Sequence, residues 1–362
     1  MDVENFISKF ITYLKKNDKK CIELLENNEK FVNSNFVYNT DTKIINKFVE
    51  ELNDAILNAK QKYKLFEIVL KNPSLKKIYS AFKKSNILIQ ACKFGNVKAI
   101  KWLITMNINP YVQDKEGMSA LMYAVQNLDL LFVVTKYQND FKCCNLEDEN
   151  GNNILFYSIH NITAILQLSE VDINHLNHDH ETVLLYCCKN KIYDPLKFIL
   201  GYSGIDFNIT DSKGKTALMY LVENGRENEI GYFSLLQSGN SFNFNYINDH
   251  GESALSTIIK RMYCKDGHVN GKGTYKQMIK ILVCFIKAEV DFNIVVDEDG
   301  NTALMAFLIA RDFDTFNFVV LTSKNLDFSK KNKFGENVTS LILKIGGDYF
   351  PKKTRVSTTT II

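Results

Sequence analysis

Apolar positions along this chain recur with a helical rather than a strand-like period. Between residues 84 and 347 short apolar runs such as ALMYAV from Ala120, VLLYCC from Val183 and ALMYLV from Ala217 are each followed by a second apolar run, for example VKAIKWLIT or PLKFILGY. Asn, Asp and Gly separate the runs. The pattern predicts helix–turn–helix units in which neither helix can bury its apolar side alone. Stacked neighbours can, so the stability of such an array is largely a sum of nearest-neighbour interfaces.

The units are punctuated by one phrase, written DKEGMSALM at Asp114, DENGNNILF at Asp148, DSKGKTALM at Asp211 and DEDGNTALM at Asp297. Taking the glycine as marker, copies fall at Gly117, Gly151, His180, Gly214, Gly251, Gly300 and Gly335, at intervals of 34, 29, 34, 37, 49 and 35 residues. Asp, two polar residues and Gly form a turn, because Gly accepts a positive φ that other residues resist. A Ser or Thr two residues later suits a helix N-cap. A further copy without the turn, NILIQACKFGNVKAIKWLI, begins at Asn86, and D-[IF]-N recurs at Asp172, Asp206 and Asp291. Period and offsets together resemble the ankyrin repeat. The resemblance implies an all-α solenoid over 84–347, about seven to eight repeats, with an atypical helical N-terminal cap over 1–83 and a tail over 348–362. It departs from the family at T-P-L-H, where Ala120, Ala217 and Ala303 stand for Pro and Met122, Met219 and Met305 for His; the side-chain hydrogen bonds of that His are expected to be lost.

Composition changes this picture little. Forty-four basic and 41 acidic residues leave +3 over 362 residues, a balance that advertises neither nucleic acid nor membrane as a general partner. No apolar stretch reaches spanning length, and MDVENFISKF has no signal-peptide pattern. A cytoplasmic, monomeric chain is expected, with the nucleus also compatible. The eight cysteines include no C-x-x-C and read as reduced packing residues. Cys187 and Cys188 stand where the family usually places Ala-Ala.

Candidate chemistry is sparse. The segment Cys264 to Tyr275 is an insertion in the 49-residue interval, and its Gly267, Lys272, Gly273, Thr274 order fails the phosphate-loop pattern G-x-x-x-x-G-K-[ST]. It reads as a loop between two helices. His175, His178 and His180 lie close enough in sequence to suggest a metal site, but no carboxylate or thiol visibly completes it; a solvated fingertip is the expectation. No nucleophile, base and orienting group stand in a recognisable order. No enzyme activity and no cofactor are expected.

The variable slot of the first helix, six residues after each marker, is Tyr123, Tyr157, Tyr186 and Tyr220 in four consecutive repeats. The family resemblance implies that this helix lines the concave surface, so the rings would form a ladder along it. Three residues on stand Gln126, His160, Lys189 and Glu223, with Asn127, Asn161, Asn190 and Asn224 beside them. Aromatic rings rimmed by amides and mixed charges have the make-up of a protein-binding hot spot, although tyrosine there also serves plain packing between helices. Fingertip residues Lys115, Glu116, Ser212, Lys213, Asp249, His250, Glu298 and Asp299 form a second contact zone in the family. The expected function is a protein–protein interaction scaffold or adaptor. An adaptor that recruits a ubiquitin ligase or trafficking machinery through residues 1–83 is the alternative, and an undetected enzyme there is a further one.

Overall fold

The computed structural model describes residues 2–38, 41–59, 63–224, 242–263 and 271–345. These form helices joined by tight turns, and isolated bridges such as Gln113 with Ser119 and Thr210 with Thr216 are the extended pairings among them. The fold is all-α, as the periodicity predicts. Two compact units divide between His178 and Asp179.

Each finger is built by one side chain. Asp148 Oδ1 accepts from the amides of Asn150 and Asn152 at 2.8 and 2.7 Å, and Asp211 Oδ1 does the same for Lys213 and Lys215 at 2.9 and 2.9 Å. Asn248 and Asn332 take over where the sequence lacks the acid. The marker follows in the left-handed region: Gly117 has φ +75° and Gly151 φ +74°. A Cβ on Gly117 would lie 2.8 Å from the backbone of Asp148, because the next finger docks there through the Glu149 amide and the Glu116 carbonyl at 3.0 Å. His180 keeps the turn without glycine, at φ 59°.

Helix starts follow from the same phrase. Ser119, Thr182 and Thr216 each accept an amide of the first turn, at 3.3, 3.2 and 3.3 Å. The methionine that replaces the family's histidine is not silent, since the Met122 thioether accepts the Ser119 amide at 3.4 Å. One side-chain hydrogen bond expected to be lost is therefore recovered by sulfur. In the first unit Ile87–Lys93 packs on Ala120–Ala124, and that helix on Ile154–Ser158. In the second, Val183–Lys189, Ala217–Asn224, Ala254–Met262, Ala303–Ile309 and Val338–Ile345 pack in succession.

Ahead of the turn-bearing repeats, Val3–Lys15 packs on Thr42–Leu57 around a phenylalanine cluster. Phe6 lies 5.6 Å from Phe36, which meets Phe48 edge-on at 5.3 Å. At the other end of the chain, the two sides of the insertion converge. Tyr263 and Tyr275 both donate to Asp312 Oδ2 at 2.6 Å. The expected insertion is described only at this foot; residues 264–270 and the expected tail lie outside the described residues.

Candidate protein-binding site

Three of the four candidate tyrosines are each tied to a carboxylate of their own repeat. The Tyr123 hydroxyl donates to Asp114 Oδ2 at 2.9 Å, Tyr220 to Asp211 Oδ2 at 2.6 Å, and Tyr157 to Asp148 Oδ2. One carboxylate thus serves two ends of its repeat: Oδ1 closes the turn and Oδ2 holds the ring nine residues on. Tyr186 has Asn177 at the corresponding place. Burial and the neighbouring carboxylate push the Tyr123 phenol up to about 12, and raise Tyr157 and Tyr220 in the same direction. Burial opposes ionisation of Asp148, yet the hydrogen bonds from Tyr157 and Asn152 outweigh it and hold the carboxyl below its ordinary value.

Tyr123, Tyr157 and Tyr186 are half-buried, while Tyr220 is 6% exposed. Tyr123 and Tyr157 belong to the first unit and Tyr186 and Tyr220 to the second.

The slot three residues further on divides sharply. Lys189 pairs with Glu181, itself buried, and Glu223 with Lys215 at 2.9 Å. Both partners stand immediately after the turn marker, and the same two places hold Glu252 with Lys260 at 3.6 Å and Glu336 with Lys344 at 2.7 Å. This ion pair was readable as opposite charges eight residues apart. Gln126 is exposed and donates to the Met122 carbonyl of its own helix at 2.8 Å. His160 is exposed and makes no hydrogen bond among the described residues.

The adjoining asparagines are structural ties. Asn161 is buried, accepts the Ala164 amide at 3.2 Å and donates to the Val125 carbonyl of the preceding repeat at 2.7 Å. Asn224 reaches the Cys188 and Lys189 carbonyls at 3.5 and 3.4 Å, and Asn96 reaches Leu57 at 3.0 Å. Asn127 accepts from Asp129 at 2.9 Å, and Asn190 donates to Tyr186 at 2.9 Å. By contrast the eight fingertip residues, from Lys115 to Asp299, are all exposed.

Other candidate chemistry is placed as follows. His175 Nε2 lies 2.6 Å from the Gly151 carbonyl, so one nitrogen is engaged by the finger itself. Among the described residues no group of His, Cys, Asp and Glu is arranged to hold a metal ion. The seven described cysteines are buried and unbridged, and burial pushes Cys92 and Cys187 up to about 12, far from the thiolate that nucleophilic chemistry needs. No described helix is long and apolar enough to cross a membrane.

No curated protein matches the chain. The family model for ankyrin repeats, in 3 copies, matches residues 52–140, a span that begins within Thr42–Leu57 and ahead of the first marked turn. It takes in Asn96 and Leu57, whose hydrogen bond repeats the tie made by Asn161 and Val125 further along. Residues 52–140 thus match ankyrin repeats, modules of protein–protein interaction, and the tie that they contain recurs in the repeats that follow.

Proposed function

We propose that the chain is a scaffold or adaptor that seats a partner protein on its first-helix face, and that in the first unit Gln126 and His160 make the discriminating contacts. The observation that carries this is the divided slot. Two of the four candidate residues are already spent on ion pairs with Glu181 and Lys215, whereas Gln126 keeps its side-chain oxygen as an acceptor and His160 is exposed. Tyr123 and Tyr157 stand three residues before them and are half-buried. Their hydroxyls are committed to Asp114 and Asp148, so they offer a partner apolar area and a fixed shape rather than hydrogen bonds. Tyr220, buried, supports its repeat from within. In the second unit Lys189 and Glu223 would enter a contact only by giving up their present partners.

Site-directed photo-crosslinking tests this. A benzoylphenylalanine placed at position 126 or 160 is expected to trap the partner, and one at the exposed position 321, on Phe313–Thr322, is not. Crosslinks from position 321 with none from 126 and 160 would remove the first-helix assignment.

A further inference from the structure

The net charge of the chain conceals its distribution. Residues 60–110 hold eleven lysines, no arginine and a single acidic residue, Glu67, so this stretch carries +10 and the other 311 residues together −7. A segregation of that size is an electrostatic signpost.

The structure gathers part of the charge around one indole. Trp102, on Val97–Thr105, stacks on Tyr63 with centroids 5.0 Å apart, and Phe66 and Phe82 lie 6.4 Å from it. Tyr63 and Phe66 belong to Tyr63–Leu70, and Phe82 to Lys76–Lys83. Three helices thus meet at Trp102, and exposed lysines flank each contact: Lys64, Lys84 at the C-cap of Lys76–Lys83, and the pair Lys98 and Lys101. The ring contacts bring these stretches of backbone together, so the lysines that flank them lie in one region of the first unit, with Lys98 one turn before Trp102 on its helix. Glu67 offers little relief, being held by Lys71 at 2.5 Å. Among the described residues Lys64, Lys84 and Lys98 form no ion pair.

We propose that the outward faces of these three helices form a second docking surface, distinct from the first-helix face, for an acidic segment of a partner protein. Charge complementarity selects the class. Against nucleic acid, every cation here is lysine, which lacks the forked guanidinium that reads base edges and phosphates, and the Tyr63 and Trp102 rings are stacked on each other rather than presented to bases. Against a bilayer, Ile68 is the one large apolar side chain notably exposed on these helices among the described residues, at 49%. Amphipathic membrane surfaces carry a continuous row of such anchors. A single isoleucine one turn from Lys64 suits an apolar residue within an acidic segment.

The test is fluorescence anisotropy of a fluorescein-labelled poly-glutamate peptide with the full chain. Binding is expected at low ionic strength and should weaken as salt is added. The variant Lys64→Gln/Lys84→Gln/Lys98→Gln should lose affinity about tenfold or more, and Lys213→Gln/Lys287→Gln/Lys333→Gln, in the second unit, should keep it. Lys64→Gln and Lys98→Gln made singly, on separate helices, should each lower affinity in part, so a folding defect of the triple variant cannot mask the result. Gln126→Ala with His160→Ala should leave it unchanged, which separates this surface from the first-helix face. Equal affinity of the two lysine variants, no binding at low salt, or a preference for phosphatidylserine vesicles or duplex DNA over poly-glutamate would overturn the proposal.

Discussion

At the slot nine residues past the turn marker, the two units treat one backbone position in opposite ways. From Glu181 onward the slot is an ion pair with the residue after the marker in four of five repeats: Glu181 with Lys189, Lys215 with Glu223, Glu252 with Lys260 and Glu336 with Lys344, the Gly300 repeat holding Asn301 and Ile309 there. In the first unit the same places hold Met118 with Gln126 and Asn152 with His160, which have no opposite fixed charges to join. A repeat scaffold therefore fixes where a side chain stands without fixing whether it is free. Charge at the finger base decides that.

The largest expected effect probes what the units share. Asp148→Ala removes the acceptor of two backbone amides, Asn152 and the Tyr157 hydroxyl, and should cost about 3 kcal/mol in urea unfolding. Asp148→Asn should cost about 1 kcal/mol, because Asn248 and Asn332 already do the turn-closing part elsewhere. Equal losses would mean that the charge, and not the acceptor geometry, closes the finger.

The next effect breaks or keeps the comparison itself. Glu181→Gln leaves Lys189 beside a neutral, buried partner and should cost about 1–2 kcal/mol. Gln126→Ala, at the matching slot of the first unit, should stay within about 0.5 kcal/mol. If the two cost the same, the slot is structural throughout and the assignment of Gln126 to a partner falls.

Tyr157→Phe should cost about 1 kcal/mol, with a signature at both ends of the pH scale. The Tyr157 phenol is raised in the fold by burial and by Asp148, so its contribution is complete below the ordinary value of 10.0 and is lost as pH climbs through the raised value. The depressed Asp148 carboxyl works the other way: its contribution is complete above 3.8 and disappears as pH falls through the lowered value. A thermal midpoint that is flat between pH 9 and pH 12 in the wild type would contradict the phenol–carboxylate pairing. Smallest of all, Glu336→Gln should leave the urea midpoint close to that of the wild type, since Lys344 is 70% exposed; a loss as large as that of Glu181→Gln would show that exposure does not grade these pairs.

Much of this was legible in the letters, and for a local reason. The turn, its cap and even the substitution at His180 depend on residues within about six positions of one another, so a one-dimensional pattern carries them. The Tyr123, Tyr157 and Tyr220 bonds were legible too, as an Asp nine residues before each ring. The helical character of residues 1–83 was legible, but its packing was not, because Phe6, Phe36 and Phe48 are brought together across the sequence and no turn residue announces them. The lysine-rich face was hidden by arithmetic: a net charge near zero averages +10 against −7.

Asp312 has one more implication. With Tyr263 and Tyr275 both anchored on a single carboxylate oxygen, the ends of the segment between them are fixed whatever that segment contains. Doubling the length of a loop closed in this way costs only about 0.6 kcal/mol of chain entropy. The repeat array thus holds a ready socket, where a foreign peptide, an epitope or a whole small domain could be spliced in without disturbing the helices on either side.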